Sequence, residues 1–487
     1  MIPWRKAVRP SAAGSSCTTD PSEAGGDMAG KTSQAIVIIH GMGEHRPMAT
    51  LRGFMAGAFR GESRVYSQPD PLSDSFELRR FQVGRTAARP RTFVYEYYWT
   101  HLMRGNTWAH LKALVRRFLF RSPARLPSSL WIPWVLVWLV VGAAGFGAWF
   151  LTEKAGLGPG DLNDLGGLRK AWRAVVAVEG WQEPAAVAGL ILLAAVLRVM
   201  PMLLAYVGDV ARYCSPTPDN VAVRQEIRSG AVGLLEKLQE RHDRVIVVGH
   251  SLGTIVGLDA LRFLWSRTYA EHDARADFPQ EALEEVERLG ASLDARSGPE
   301  AVDAFRAAQR RLWQERIAVG SPWRVTDFLS FGSPLCLATF ILAEDDADWE
   351  RLQREHETPC CPPFDAEGDA HAYAYDPEPR RPGGGHVVRR LHNAALFACV
   401  RWTNVWFPAR GGFLGDWFGG PLRELFGHGV ADRPATAGPG RLIPGLAHVR
   451  YFTPVPGGGE PRPGSSLRLL LDALDLDSES WLGAAAT

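Results

Sequence analysis

Short apolar runs alternate with amphipathic stretches along most of the chain. Continuous apolar runs such as Ala35–His40 and Arg244–Gly249 predict strands buried on both faces of a parallel sheet. Between such runs, apolar residues at helical spacing predict helices, as over Asn220–Arg241. The alternation predicts an α/β fold with a mostly parallel sheet flanked by helices. Further strands are predicted at 93–99, 324–332, 399–407 and near His448, and further helices at 47–60, 254–265 and across 270–318.

Two longer apolar runs interrupt this alternation. Leu130–Leu151 carries no charge, and about 20 such residues span a bilayer. Ala185–Val207 is a second run, interrupted by Arg198 and Pro201. Together they predict a transmembrane hairpin over 130–207, with a pair of buried core helices or a lid as the alternative. Because an arginine within a span is costly, Arg198 either faces its partner helix or marks a re-entrant segment.

Basic residues set the expected orientation of this hairpin. Six of them precede the first run, Arg212 follows the second, and the connecting loop balances bases with acids. The positive-inside rule then predicts an integral membrane protein, in the inner or plasma membrane if bacterial, with its catalytic domain cytoplasmic. Anionic lipid headgroups explain the basic run 116–125 better than nucleic acid does. The six residues are Arg104, Lys112, Arg116, Arg117, Arg121 and Arg125.

The hairpin divides one predicted α/β domain into residues 35–129 and 208–487. Residues 1–34 are rich in small and polar side chains and lack the apolar core of a signal peptide, so a disordered segment is expected, and Met28 is an alternative start. Residues 345–385 are rich in Pro, Gly and charge, which predicts a long irregular insertion.

Composition narrows the class of partner. Among 487 residues, 54 basic side chains balance 53 acidic ones, so no global field attracts nucleic acid. The 17 tryptophans gather near the apolar runs, as at membrane interfaces and lipid pockets. The six cysteines form no CxxC pair, which favours buried or free thiols in a reducing compartment.

Gly249-His250-Ser251-Leu252-Gly253 matches the G-x-S-x-G pattern. It lies between a buried strand and a helix, where a nucleophile elbow raises its serine above the sheet. The turn is tight enough to require glycine on both sides. Ser251 is therefore the predicted nucleophile, and a glycine-rich turn with an idle serine is the alternative.

A serine nucleophile needs donors for the oxyanion. The backbone N–H of Leu252 supplies one, and the loop after an earlier strand should supply the second. The run His40-Gly41-Met42-Gly43 occupies that place, and the N–H of Met42 is the predicted donor. Losing one such donor typically lowers the rate by about 10²–10³. A plain tight turn is the alternative.

An acid and a histidine must follow the serine in chain order. Asp416 follows a predicted strand, and His448 stands in a short loop before aromatic residues. In the predicted triad, His448 takes the proton of Ser251, and Asp416 holds the histidine tautomer and stabilises its charged form. The competing acids are Asp327 and Asp432, and the competing bases are His386, His392 and His428.

These motifs resemble the lipase-like part of the α/β-hydrolase superfamily. The similarity is to class 3 lipases and, more loosely, to membrane-embedded GPI inositol-deacylases. It rests on the HGMG loop, GHSLG around Ser251, Asn404 on the strand before Asp416, and His448 ahead of Tyr451. The resemblance spans about 35–454, without the hairpin, the helices of 270–318 or the insertion 345–385. Trp417-Phe418-Gly419 replaces the valine or isoleucine and proline that usually follow the acid. The resemblance implies ester hydrolysis, often of lipids, without a cofactor.

The sequence therefore predicts a membrane-anchored serine hydrolase that cleaves lipid or other apolar acyl esters through an acyl-enzyme on Ser251. An inactive scaffold or binding protein on the same fold is one alternative. An acyltransferase or thioesterase that uses the same serine is another. No P-loop, dinucleotide fingerprint or HExxH motif is present, and His40, Glu44 and His45 lack a further ligand, so neither cofactor nor metal is predicted.

Overall fold

The structure is a computed structural model of the chain. The predicted N-terminal segment and the predicted hairpin 130–207 lie almost wholly outside the residues that it describes, as do Met42 and Gly43. The described residues are 32–41, 46–73, 77–103, 208–210, 212–215, 217–269, 280–364, 373–375, 389–409, 414–437, 447–455 and 459–476, with single positions between 120 and 173 and at 457 and 481.

One twisted sheet of eight strands organises the described chain, in the order β10-β9-β6-β5-β1-β4-β3-β2. Neighbours from β10 to β4 are parallel, and the pairs β4–β3 and β3–β2 at one edge are antiparallel. The predicted mostly parallel α/β sheet is thus confirmed. Its strands are β1 Ser33–Ile39, β2 Val65–Pro69, β3 Arg79–Val83, β4 Arg91–Tyr97, β5 Arg244–His250, β6 Val325–Phe331, β9 Arg401–Trp406 and β10 Ala431–Pro434. A separate antiparallel pair joins β7 Ala374–Tyr375 and β8 Arg390–Leu391.

Helices cover both faces of the sheet, which explains the continuous apolar runs. Ala35, Val37 and Ile39 of β1 point into one core cluster, with α2, α3 and α5, while Ile36 and Ile38 point into the other, with α1 and α9. The helices are α1 Ala49–Ala58, α2 Pro218–Arg241, α3 Leu252–Thr268, α4 Glu281–Ala291, α5 Pro299–Ala318, α6 Ala338–Ile341, α7 Asp346–Arg354, α8 Arg423–Phe426 and α9 Ser466–Leu474. In the described part of the chain, 3₁₀ helices lie at Thr100–Leu102, Pro334–Leu337 and Ala395–Ala398.

Two sequence predictions were wrong. No strand forms within the described residues 447–455: His448 lies in a turn, and the apolar character of this stretch serves to bury Tyr451 and Phe452 against the sheet. The segment 345–385 is not irregular throughout, because it opens with α7, which buries Trp349.

The described residues on either side of 104–207 lie close together in the α/β domain. Arg212 donates from Nη1 to the carbonyl oxygen of Met103 at 2.8 Å. Strand β1 pairs with β4 on one side and with β5 on the other, so segments before and after residues 130–207 share one sheet. In the described part of the chain, no helix is long and apolar enough to cross a bilayer.

Candidate active site

The link between β5 and α3 forces Ser251 into a strained backbone conformation. Its φ of 53° and ψ of −130° are rare for a residue with a side chain. The turn is held by hydrogen bonds: the N–H of Ser251 donates to the carbonyl of Phe331 at 2.9 Å, and the N–H and hydroxyl of Thr254 donate to the carbonyl of Ser251. The surrounding fold thus maintains a serine raised at the carboxyl end of the sheet.

Close approach of backbone explains the glycine on each side of this turn. A Cβ on Gly253 would lie 2.1 Å from the carbonyl oxygen of Ile39. A Cβ on Gly249 would lie 2.7 Å from the Cα of Thr254. Helix α3 therefore packs against the end of β1 at a distance that only glycine allows.

Ser251, His448 and Asp416 form one chain of hydrogen bonds, although the sequence separates the first from the last two by more than 160 positions. Ser251 Oγ lies 2.7 Å from His448 Nε2. His448 Nδ1 lies 3.0 and 2.9 Å from the two carboxylate oxygens of Asp416. Because an ionised carboxylate only accepts, the histidine proton is on Nδ1, and Nε2 accepts from the serine hydroxyl.

Further donors hold the Asp416 carboxylate. Tyr451 donates its hydroxyl to Oδ2 at 2.6 Å, and the N–H of Phe418 donates to Oδ1 at 2.9 Å. Burial raises the pKa of this carboxyl, but its electrostatic interaction with His448 and these hydrogen bonds lower the pKa more, so the net pKa is below the usual range. Asp416 is thereby kept as an anion beneath the imidazole.

Tyr451 and His250 have positioning contacts that the sequence did not reveal. The hydroxyl of Tyr451 also accepts from the N–H of Phe407, which fixes it beside the carboxylate. His250 donates from Nε2 to the carbonyl of His448 at 2.8 Å, and its ring lies 5.2 Å from the ring of His448. The His-x-x-Tyr spacing and the residue before the nucleophile were the available signals, but neither spacing specifies a bond.

The loop after β1 approaches the nucleophile closely. A Cβ on Gly41 would lie 2.7 Å from Ser251 Cβ. His40 fixes the start of the loop: its ring stacks on Trp99, its Nε2 accepts from the N–H of Trp99, and its Nδ1 donates to the carbonyl of Gly41 at 2.9 Å. The predicted second oxyanion donor, Met42, follows directly but lies outside the described residues, as does Gly43.

Leu252 is the first residue of α3. The N–H groups of a first helical turn have no partner within the helix, and the helix dipole adds positive potential there. The predicted first oxyanion donor thus lies beside Ser251 at a helix N-terminus, which is a favourable position for a developing negative charge.

The competing acids have other roles. Asp327 forms buried ion pairs with Arg244 and Arg401 at 2.8 and 2.7 Å, which hold its pKa at about 2 despite burial. Asp432 accepts from the side chain of Asn404 and from the N–H groups that open α8. Both carboxylates are committed to structural partners.

The competing histidines are also placed elsewhere. His392 stacks on His356 and lies 2.9 Å, through Nε2, from the carbonyl of Phe364, and burial lowers its pKa to about 4. His428 follows α8, and burial lowers its pKa as well. His386 lies outside the described residues. Of the histidines that the sequence nominated, the structure brings His448 to Ser251.

The three linked side chains are almost fully enclosed: Ser251, His448 and Asp416 are each 1% exposed. Within the described ranges, no group of three or more His, Cys, Asp or Glu side chains is arranged to hold a metal ion. No protein-family model, curated protein or solved structure matches this chain. The case for a function therefore depends on the chemistry of these side chains.

Proposed function

We propose that this chain is a serine hydrolase of the α/β-hydrolase type, similar to class 3 lipases, that cleaves carboxylic esters through an acyl-enzyme on Ser251. The observation that carries the proposal is the chain of hydrogen bonds from Ser251 through His448 to Asp416. Three buried polar groups in this order, at the end of a strained strand-to-helix turn, match what nucleophilic catalysis by serine requires.

In the first half of the reaction, Ser251 Oγ attacks the ester carbonyl while His448 Nε2 takes its proton. Charge develops on the carbonyl oxygen and is stabilised by the N–H of Leu252, with the N–H of Met42 as the second proposed donor. Asp416 stabilises the imidazolium that forms. His448 then returns the proton to the leaving alcohol, and the acyl group stays on Ser251.

In the second half, water takes the place of the alcohol. His448 removes a proton from the water, whose oxygen attacks the acyl carbon through the same oxyanion arrangement. The acid is released and the proton returns to Ser251. If another alcohol or thiol replaces the water, the same residues catalyse acyl transfer, so product analysis separates the two reactions.

The proposal includes a membrane hairpin formed by residues 130–207. The contact between Arg212 and Met103 brings together the described residues that flank 104–207, as an inserted hairpin requires. Large apolar side chains are exposed at described positions within this segment: Phe120 is 74% exposed, and Trp131, Leu139 and Val141 are also exposed. Exposed large apolar side chains are suited to contact with a membrane or a partner. An acyl lipid or another apolar ester from the bilayer is the proposed substrate, and the hydrolase domain lies on the cytoplasmic side.

A fluorophosphonate probe tests the nucleophile directly. Detergent-solubilised protein is treated with the probe, and its intact mass is measured for the wild type, Ser251→Ala and Ser266→Ala. Ser266 is an exposed serine on the same helix, hydrogen-bonded to the carbonyl of Phe263, so its variant is the matched control. We expect one adduct on the wild type and one on the control, and none on Ser251→Ala. Folded wild type without an adduct would leave a membrane scaffold as the better account.

A further inference from the structure

A cavity of about 270 Å³ lies beside α3, on the side that faces α2. Its deepest charged residue, Asp259, is eight positions after Ser251, or about 12 Å along the helix. The cavity is therefore separate from the triad, and its volume is near the lower end of the range for small-molecule sites.

Three arginines from two helices line this cavity: Arg224 and Arg228 on α2, and Arg262 on α3. Asp259 is the buried carboxylate among them. Arg228 donates to its Oδ2 from Nε and Nη2, at 2.8 and 2.5 Å, and Arg262 approaches Oδ1 at 3.6 Å. Glu357 also lines the cavity, but it is largely exposed and approaches Arg351 at 3.6 Å. The inner wall thus has more positive than negative charge.

Arg224 has unused donor capacity at this wall. Its Nη1 donates to the carbonyl of Tyr213 at 2.8 Å, which fixes the guanidinium in place. Its Nε is buried and has no hydrogen-bond partner among the described residues. A buried donor without a partner is unfavourable by about 1–3 kcal/mol, so the hydrogen-bonding capacity of Arg224 is not fully used.

The other walls of the cavity are apolar, and two lining residues follow the second apolar run closely in sequence. Ile255, Leu258, Leu335 and Leu342 form its apolar lining. Tyr213 and Cys214 also line it, six and seven positions after the second apolar run ends at Val207. A cavity with a cationic wall and an apolar wall matches an amphiphile with an anionic head.

We propose that this cavity binds the phosphate group of an anionic lipid at the base of the insertion. The guanidinium groups of Arg224 and Arg262 contact the phosphate oxygens, and the leucine side chains accommodate the first part of the lipid body. Binding here would orient the hydrolase domain on the membrane to which the hairpin attaches it. The inference rests on the proposed membrane hairpin and not on the chemistry of Ser251.

Calorimetric titration of the full chain in neutral detergent tests the site. The Ser251→Ala variant serves as the parent, so lipid turnover does not interfere, and the result is independent of the proposed hydrolysis. The probes are dioctanoyl phosphatidic acid, dioctanoylglycerol, which lacks the phosphate, and inorganic phosphate. The variants are Arg224→Gln and Arg262→Gln, with Arg267→Gln as the control because it lies on α3 outside the cavity and pairs with Glu236.

Phosphatidic acid should bind the parent and the control with equal affinity. It should bind each cavity variant at least about tenfold more weakly, as expected for loss of a charge-assisted contact. Dioctanoylglycerol should bind no more tightly to the parent than to the variants. Inorganic phosphate could bind as tightly as the lipid and lose the same affinity in both cavity variants. That result would support the phosphate site but assign it to a soluble phosphate ester rather than a lipid. Equal affinity of the lipid for all four proteins would overturn the proposal. If Arg224→Gln does not fold, the half-buried Arg262 still allows the comparison through Arg262→Gln.

Discussion

At the scale of single residues, the candidate site depends on the hydrogen-bond donors that surround the Asp416 carboxylate. Asp416 receives hydrogen bonds from His448, Tyr451 and the N–H of Phe418. Each of these favours the anionic form, and together they outweigh burial. The same donors determine the orientation of the carboxylate, so Tyr451 acts on the reaction by positioning Asp416 rather than by touching substrate.

Replacement of Asp416 by Asn should lower kcat by about 10⁴-fold, because an amide can stabilise the wrong tautomer of His448 and does not stabilise its charged form. The measurement is hydrolysis of a short-chain nitrophenyl ester. Asp432→Asn is the matched control, since Asp432 interacts with Asn404 and α8 rather than with His448. Asp432→Asn should keep kcat within a few-fold of the wild type while lowering thermal stability. The opposite ranking of the two variants would assign the acid to Asp432.

At the scale of elements, the buried parts of the sheet were predictable and its edges were not. Strands β1 and β5 are continuous apolar runs because both faces are covered. The edge strand β2 and its neighbour β3, with sequences VYSQP and RRFQV, are largely polar and half-exposed, so they lack the pattern of a buried strand. Strand β10 has only four residues and ends in a proline at the opposite edge.

The candidate site also has features that the sequence predicts and contacts that it does not predict. Ser251 was predictable because a tight turn between a buried strand and a helix leaves a local signature. Chain order and loop context also nominated Asp416 and His448, which the fold brings together. The bond from His250 to the carbonyl of His448 joins positions 198 residues apart, and no local pattern encodes such a contact.

Alanine substitutions at two glycines should change the stability of the protein in opposite directions. Gly253→Ala would press a methyl group against the carbonyl oxygens of Ile39 and His40, at 2.1 and 2.5 Å, so the unfolding temperature and fluorophosphonate labelling should both fall. Gly233, inside α2, has open space around the same position, and Gly233→Ala should raise stability by about 0.5–1 kcal/mol. Differential scanning calorimetry compares them. Similar unfolding temperatures for both variants would contradict the close packing of α3 on β1.

The start of α1 should make stability depend on pH through Glu96. This buried carboxylate accepts from the N–H groups of Met48 and Leu51 at 2.7 and 3.4 Å, and burial raises its pKa from 4.5 to about 7. The folded state therefore binds more protons than the unfolded state. The contribution of this group is complete below pH 4.5 and is lost as pH rises through 7.

Glu96→Gln, which stays neutral, should isolate this effect. Near pH 4.5 its free energy of unfolding should be close to that of the wild type, and at pH 8 the variant should be more stable, by on the order of 3 kcal/mol at most. Urea unfolding at the two pH values measures the difference. A difference that does not change with pH would show that Glu96 titrates at its ordinary pKa in the folded protein.

At the scale of the whole molecule, the insertion and the α/β domain have separable roles in the proposed function. The sheet is continuous across the insertion, because β1 joins β4 from before it to β5 from after it. The side chain of Arg212 reaches the carbonyl of Met103, so the chain leaves and re-enters the domain at neighbouring points. A segment attached in this way can be removed without breaking any pairing of the eight-stranded sheet.

Replacement of residues 104–207 by a short Gly-Ser linker should therefore give a folded domain that fluorophosphonate still labels at Ser251. A short flexible linker suffices because one arginine side chain already spans the gap between its ends. The full chain should sediment with membranes and require detergent for release, and the shortened chain should stay in the supernatant. Fractionation followed by labelling reads both properties on the same sample. A shortened chain that folds, is labelled and still sediments would place membrane attachment in the α/β domain. Release of the full chain by high salt alone would contradict the hairpin and indicate a peripheral membrane contact.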